Sequence, residues 1–171
     1  LDKMVVCFID KFLTNYYSEH EFYSLRSSLA LVNILLKYHE PQLFHIFDDS
    51  LITPDLYATS WILTLFSNKC NFDVIYYLWD KLILFDDNLI LHFFIVSFLI
   101  RNKEIFTGSE SAMIPSKLSQ LHINDIEEVN SILNQAMDLK DKTPNSFFIF
   151  SNYLEIFEYD SKNLKLNFEK Y

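Results

Sequence analysis

Three groups of residues in this chain have the side-chain types that do chemistry. They are His39, Glu40 and His45 in the pattern H-E-x-x-x-x-H, the carboxylate pairs Asp48–Asp49 and Asp86–Asp87, and the cysteines Cys7 and Cys70. A zinc-binding helix needs two histidines four apart on one face. Here they stand six apart with Pro41 between, so the segment predicts a partly exposed helix end and no metal site. Paired carboxylates run acid–base chemistry when they flank a scissile bond; adjacent ones at the edge of a helical pattern predict caps and solvated ends. A thiol becomes a nucleophile beside a cation or a helix N-terminus. Cys7 and Cys70 lie in apolar helical stretches with only Lys69 nearby, which predicts reduced, buried thiols in a cytoplasmic protein. Ser60 and Ser97 fall within helical patterns, without a G-x-S-x-G turn. His92, in a stretch apolar all round, reads as a satisfied core histidine. No cofactor is expected, because the single glycine, Gly108, cannot build a phosphate-cradling loop. An active site of the chain's own is not expected.

The composition narrows the class further. A length of 171 residues suits one domain with a sizeable core. Half the residues are hydrophobic, which excludes a disordered chain, and the scarcity of glycine disfavours turn-rich β-sandwiches and barrels. The formal charge is −9, with Arg26 and Arg101 the two arginines. Nucleic acid needs a basic face that releases counterions, and an anionic membrane surface needs the same; neither is an expected partner. The most apolar run, Leu89 to Ile100, has twelve residues and is too short to span a bilayer. The chain opens on Leu1, directly in a helical pattern, as a piece of a longer protein would.

Elements that would position these residues follow from hydrophobic periodicity. Val5, Phe8, Ile9, Phe12, Leu13 and Tyr16 predict an amphipathic helix over about 2–17. Phe22, Leu25, Leu29, Val32 and Leu36 predict another over about 19–38, and Leu31, Ile34 and Leu35 widen its buried face. Pro41 ends that helix and opens a short one to about 48. Thr53–Pro54–Asp55 reads as cap, first position and dipole-matched acid of a helix bearing Ala58, Trp61, Ile62, Leu65 and Phe66 on one face. Asn71 caps the next, whose stripe is Val74, Ile75, Leu78, Trp79, Leu82 and Ile83. Residues 88–106 predict a buried helix closed by Gly108, and 109–123 a connection with a short helix. Asn124 is expected to cap a helix over about 125–139 (Ile126, Val129, Leu133, Ala136), and Thr143–Pro144 to open a last one to about 157. The fold class is all-α, with seven to nine helices and no internal repeat. Residues 1–159 form the domain and 160–171 a polar tail. Trp61 and Trp79 read as core by their helical spacing. On these grounds alone the chain is a helical interaction module.

The order of residues in "HEPQLFHIFDDSLITPDLYATSWILTLFS", His39 to Ser67, goes further. It resembles the C-terminal half of the TBC domain, the all-helical module of Rab GTPase-activating proteins. The likeness rests on the His-acid-Pro opening with His39 and Pro41, on Ile52-x-Pro54, on Tyr57, on the run from Trp61 to Phe66, and on the later pair Trp79–Asp80. It covers about residues 20–105. A second stretch, Leu121 to Phe147, resembles the segment that follows this half-domain in the TBC–rhodanese adaptor and the TBC-domain kinase-like proteins.

The resemblance implies a multi-helix TBC C-terminal lobe in which His39, Pro41, Pro54, Trp61, Phe66, Trp79 and Asp80 are structural motif positions. It implies a Rab-family small GTPase or trafficking adaptors as partners. Location would be cytoplasmic, or peripheral on Golgi or endosomal membranes. Catalytic members supply arginine and glutamine from I-x-x-D-x-x-R and Y-x-Q, and the arginine stabilises charge on the transferring phosphoryl group. Arg26 and Arg101 follow Tyr23 and Phe98 at the aspartate position, and Gln42, Gln120 and Gln135 lack the tyrosine two before them. Ser60 stands where activators carry arginine before the tryptophan. Three readings stay open: a non-catalytic binding module, part of an active GTPase activator whose fingers lie upstream, and an unrelated helical scaffold. A half-domain is also expected to pair with a second copy through an uncovered apolar face.

Overall fold

In the computed structural model the residues described are Phe12, 22–85 and 87–154. The helix expected over 2–17 lies outside them except for Phe12, which is helical and buried. The polar tail and the end of the last helix also lie outside.

The described chain is all-α. Helix α1 runs Tyr23–His39, α2 Pro41–Asp49, α3 Pro54–Leu63, α4 Phe72–Phe85 and α5 Ile90–Arg101. Short 3₁₀ turns at Lys103–Ile105 and Ser111–Met113 lead to α6, Ile114–Gln120, and α7, Ile126–Lys142. Residues 145–154 are helical as well. No strand occurs among the described residues, and the one isolated parallel bridge joins Cys70 to Ile123. No described helix is long and apolar enough to cross a membrane.

Helix α5 is the axis of the fold. Every residue from Ile90 to Leu99 is buried, as a helix apolar on all sides requires. It packs against α1, α3, α4 and α7. The apolar stripes of α1, α4 and α7 then close around it through Leu25, Leu29, Val32, Leu78, Leu82, Val129 and Leu133.

Several local expectations are corrected. The stripe positions Phe22, Ile34, Ile83 and Ile126 are at least two-fifths exposed, the last three because they lie at the margins of their helices' buried arcs. Phe22 is also left-handed, with φ 53°, so α1 begins after it. Helix α5 stops at Arg101, not at Gly108, because the Asn102 side chain donates to the Phe98 carbonyl and turns the chain into a 3₁₀ segment. Gly108 adopts φ 71° one turn later. Asp125, not Asn124, caps α7: its carboxylate accepts from the Glu128 amide at 2.7 Å, while Glu128 reaches back to the Asn124 amide. Asn71 caps α4 as expected, accepting from the Val74 amide.

Candidate functional site

The motif positions are built outward from α3. Thr53 has the extended backbone of an N-cap and Pro54 occupies the first helical turn, but the Thr53 side chain makes no capping bond, which corrects the expected role. The helix is instead framed by two chain reversals of one design. At the end of α2, the Ile52 amide donates to the Phe47 carbonyl and the Leu51 amide to the Asp48 carbonyl. At the end of α3, the Phe66 amide donates to the Trp61 carbonyl and the Leu65 amide to the Ile62 carbonyl. These are the paired bonds of a Schellman cap. Glycine usually fills its left-handed position, yet here Leu51 (φ 57°) and Leu65 (φ 46°) do so. In each, the two positions whose apolar contact completes such a motif are buried: Phe47 and Ile52 in the first, Trp61 and Phe66, with ring centroids 5.7 Å apart, in the second. The expected single face of Leu65 and Phe66 on α3 is therefore corrected: the helix ends at Leu63, and both residues reach the core from a turn.

Trp61 is 1% exposed and sits in an aromatic cluster. Its ring centroid lies 5.4 Å from Tyr57, 5.7 Å from Phe66 and 5.5 Å from Phe98. Separations of this size, tilted or edge-on, are favourable beyond simple area burial. Trp79, on α4, donates its indole N–H to the Leu65 carbonyl at 2.9 Å. Asp80, its neighbour, is exposed.

His39 ends α1 and touches α7's end. Its Nε2 lies 2.8 Å from Thr143 Oγ1, and that hydroxyl donates to the Leu139 carbonyl. The hydroxyl proton is thus committed, so His39 Nε2 is the donor. Partial burial, then the nearby Lys142 charge, hold its pKa below the ordinary value against the opposing pull of Asp138. Glu40 pairs with Lys103 at 3.2 Å, and Pro41 opens α2. His45 is exposed, so the H-E-x-x-x-x-H residues are not brought together, and the described residues hold no cluster of metal-ligand type.

The other reactive candidates are buried or engaged by neighbouring side chains. Asp87 caps the Leu89 amide and pairs with Lys140 at 2.6 Å. Burial pushes the Cys70 thiol up to about 12, which makes it inert. Arg101 donates to Ser131 at 2.7 Å and lies 3.9 Å from the Glu128 carboxylate. His92 is buried in α5, where burial holds the imidazole at about 4 against the opposing pull of the Leu89 and Asn88 backbone and of Asp87.

Sequence reading missed Lys69. The residue is 6% exposed, and its ammonium donates to the Ser119 carbonyl at 2.7 Å and the Leu118 carbonyl at 3.4 Å, at the C-terminus of α6. A lysine there answers the negative end of the helix dipole and the open carbonyls. The Lys69 carbonyl in turn accepts the Ile123 amide at 2.8 Å. Its nearest sequence signal, a lysine beside Cys70 and Asn71, does not distinguish it from a solvated one.

Together these bonds tie the block from His39 to Asp80 to the segment after residue 106: His39 to Thr143, Lys69 to Ser119, and Tyr77 to Asn130 at 2.8 Å. The arrangement holds helices at fixed angles and presents surfaces. The profile of the Rab-GTPase-TBC domain family matches residues 3–106. The TBC domain-containing protein kinase-like protein of Dictyostelium discoideum is 24% identical over 139 residues, 81% of this chain and 13% of that protein. TBC1 domain family member 5 homolog B of the same organism is 30% identical over 110 residues, 64% of this chain and 11% of its own length. The human TBC domain-containing protein kinase-like protein is 31% identical over 77 residues, 45% of this chain and 9% of that protein. The chain thus spans roughly a tenth of the length of these relatives. A profile match over more than half its residues, on an all-α fold, makes this chain a member of the Rab-GTPase-TBC domain family.

Proposed function

We propose that the chain serves vesicle traffic as a non-catalytic, Rab-GTPase-binding part of a TBC domain, acting by surface recognition. The observation that carries this reading is the condition of the two arginines. Arg101 is engaged by Ser131 and Glu128, and neither it nor Arg26 has an aspartate three residues before it. An arginine finger must be free to reach the transferring phosphoryl group. His39, Pro41, Pro54, Trp61, Phe66, Trp79 and Asp80 are on this view scaffold positions. Residues 1–159 are the domain part and 160–171 an appended tail. The site of action is the cytoplasm or the surface of Golgi or endosomal membranes, with trafficking adaptors as further partners. Pairing of copies would use exposed apolar residues such as Phe72 and Leu84, which are 80% and 76% exposed.

A second reading is favoured by the small share of its relatives that the chain spans: it belongs to an active Rab GTPase activator whose Arg and Gln fingers lie upstream. One experiment separates the two. The chain and its full-length parent are assayed across a panel of Rab proteins for GTP hydrolysis and for nucleotide-dependent capture. Capture without stimulation by either supports the binding module. Stimulation by the parent alone moves the assignment to the second reading, and stimulation by this chain alone overturns both.

A further inference from the structure

Between α3 and α6 the surface opens into a cleft of about 350 Å³, in the size range of ligand sites. Ten of the described residues line it and none of these is acidic, in a chain that carries 23 acidic residues; Asp55 acts on Tyr57 from outside the lining. Its polar groups are an excess of donors. Tyr57 lines the wall, is 4% exposed, and its hydroxyl has no partner among the described residues. Buried polar groups are nearly always paired, and this hydroxyl, closed to solvent within the wall, gains an acceptor only when a ligand parts the wall. The Lys69 ammonium has three donors and two carbonyl acceptors, at 2.7 and 3.4 Å. Thr64 Oγ1 donates to the Ser60 carbonyl at 2.7 Å and lies 3.1 Å from the Asn68 side-chain amide, which brings two N–H donors to the cleft. Ser60 is exposed at the edge, with only a 3.4 Å bond to the Tyr57 carbonyl. The rim is apolar: Leu56 is 65% exposed and Pro115 is exposed beside it.

We propose that this cleft docks a short linear segment of a partner protein, in which a carboxylate side chain sits beside an aliphatic one. The carboxylate meets Lys69, Asn68 and Tyr57, and the aliphatic side chain covers Leu56 and Pro115. The buried Lys69 cation, the surplus of donors and the lack of an acid among the described lining residues select the acid, because a like charge or a second donor would leave buried groups unpaired. The exposed apolar rim selects a peptide over a free acid. The proposal goes beyond the GTPase reading and stands or falls independently of it.

Trp61 lines the cleft and reports on its occupancy by fluorescence. The whole chain is titrated with N-acetyl-Leu-Asp-amide, with N-acetyl-Leu-Asn-amide and with sodium acetate. The aspartyl peptide is expected to give a saturable change, the asparaginyl peptide to bind at least tenfold more weakly, and acetate not to compete at equal concentration. Ser60→Glu, an exposed change that places an acid at the mouth, is expected to abolish binding. Tyr57→Phe is expected to weaken it several-fold, with circular dichroism unchanged in both. Equal affinity for the two peptides, no saturable signal, or binding indifferent to Ser60→Glu overturns the proposal. Competition by acetate as strong as the peptide's own would make the cleft a small-acid site and overturn it too.

Discussion

The indole N–H of Trp79 is bonded at 2.9 Å to the carbonyl of Leu65, a residue held in the left-handed region. A non-glycine residue there costs about 1–2 kcal/mol, so the turn that follows α3 needs support from outside itself. Trp79 supplies it from α4, fourteen positions on. Trp79→Phe keeps an aromatic ring, of smaller size, and removes the donor. We expect a loss of about 1–2 kcal/mol in urea unfolding, the cost of leaving a half-buried carbonyl without its partner.

Leu51 occupies the same left-handed position after α2, but its side chain is 84% exposed, whereas Leu65 is 3% exposed. Replacing each with glycine separates backbone strain from burial. Leu51→Gly relieves strain and loses almost no packing, so a gain of about 0.5–1 kcal/mol is expected after the entropy cost of glycine. Leu65→Gly should destabilise by about 2 kcal/mol or more, since a buried leucine is lost. Thermal melts of both variants check the contrast, and a stabilised Leu65→Gly would contradict the assignment of that side chain to the core.

Periodicity made the helices legible. The stripes of α1, α4 and α7 and the all-round apolarity of α5 are one-dimensional patterns, and burial follows them directly. Helix ends were less so. The sequence carries glycine at one place, so the two leucine-bearing reversals lacked the residue that marks such turns, and Asn124 stood next to the true cap at Asp125. The motif block from His39 to Asp80 was legible as an ordered set of residue types. What that order accomplishes was not, because the partners of His39, Lys69 and Trp79 are 104, 50 and 14 positions away. Long-range pairing leaves no periodic trace.

His92 makes the fold sensitive to acid. Its imidazole titrates near 4 in the folded chain because burial disfavours the cation, against an ordinary value of 6.5, with Asp87 and the nearby Leu89 and Asn88 backbone opposing. The unfolded chain therefore binds the extra proton across that interval. Stability from this group is full above about pH 6.5 and falls as the pH drops toward 4, by about 3 kcal/mol in all. Urea unfolding between pH 7 and 4 measures it, and His92→Leu should flatten that part of the profile, since no titrating group is left at the position.

Lys69 fastens α6 and the segment after it to the turn after α3: its ammonium donates to the Leu118 and Ser119 carbonyls at the end of α6, and its carbonyl receives the Ile123 amide. Lys69→Met keeps the aliphatic stem and the backbone bond but removes the cation. The Leu118 and Ser119 carbonyls then lose their donor, which should cost about 1–3 kcal/mol for a charge-assisted bond at a helix end. The loss should be local. Hydrogen exchange at the amides of α6 is expected to accelerate while those in the middle of α5, packed on all sides, keep their protection. Uniform acceleration in both helices would mean that α6 and the core open together, and that Lys69 stabilises the whole domain and not a single seam.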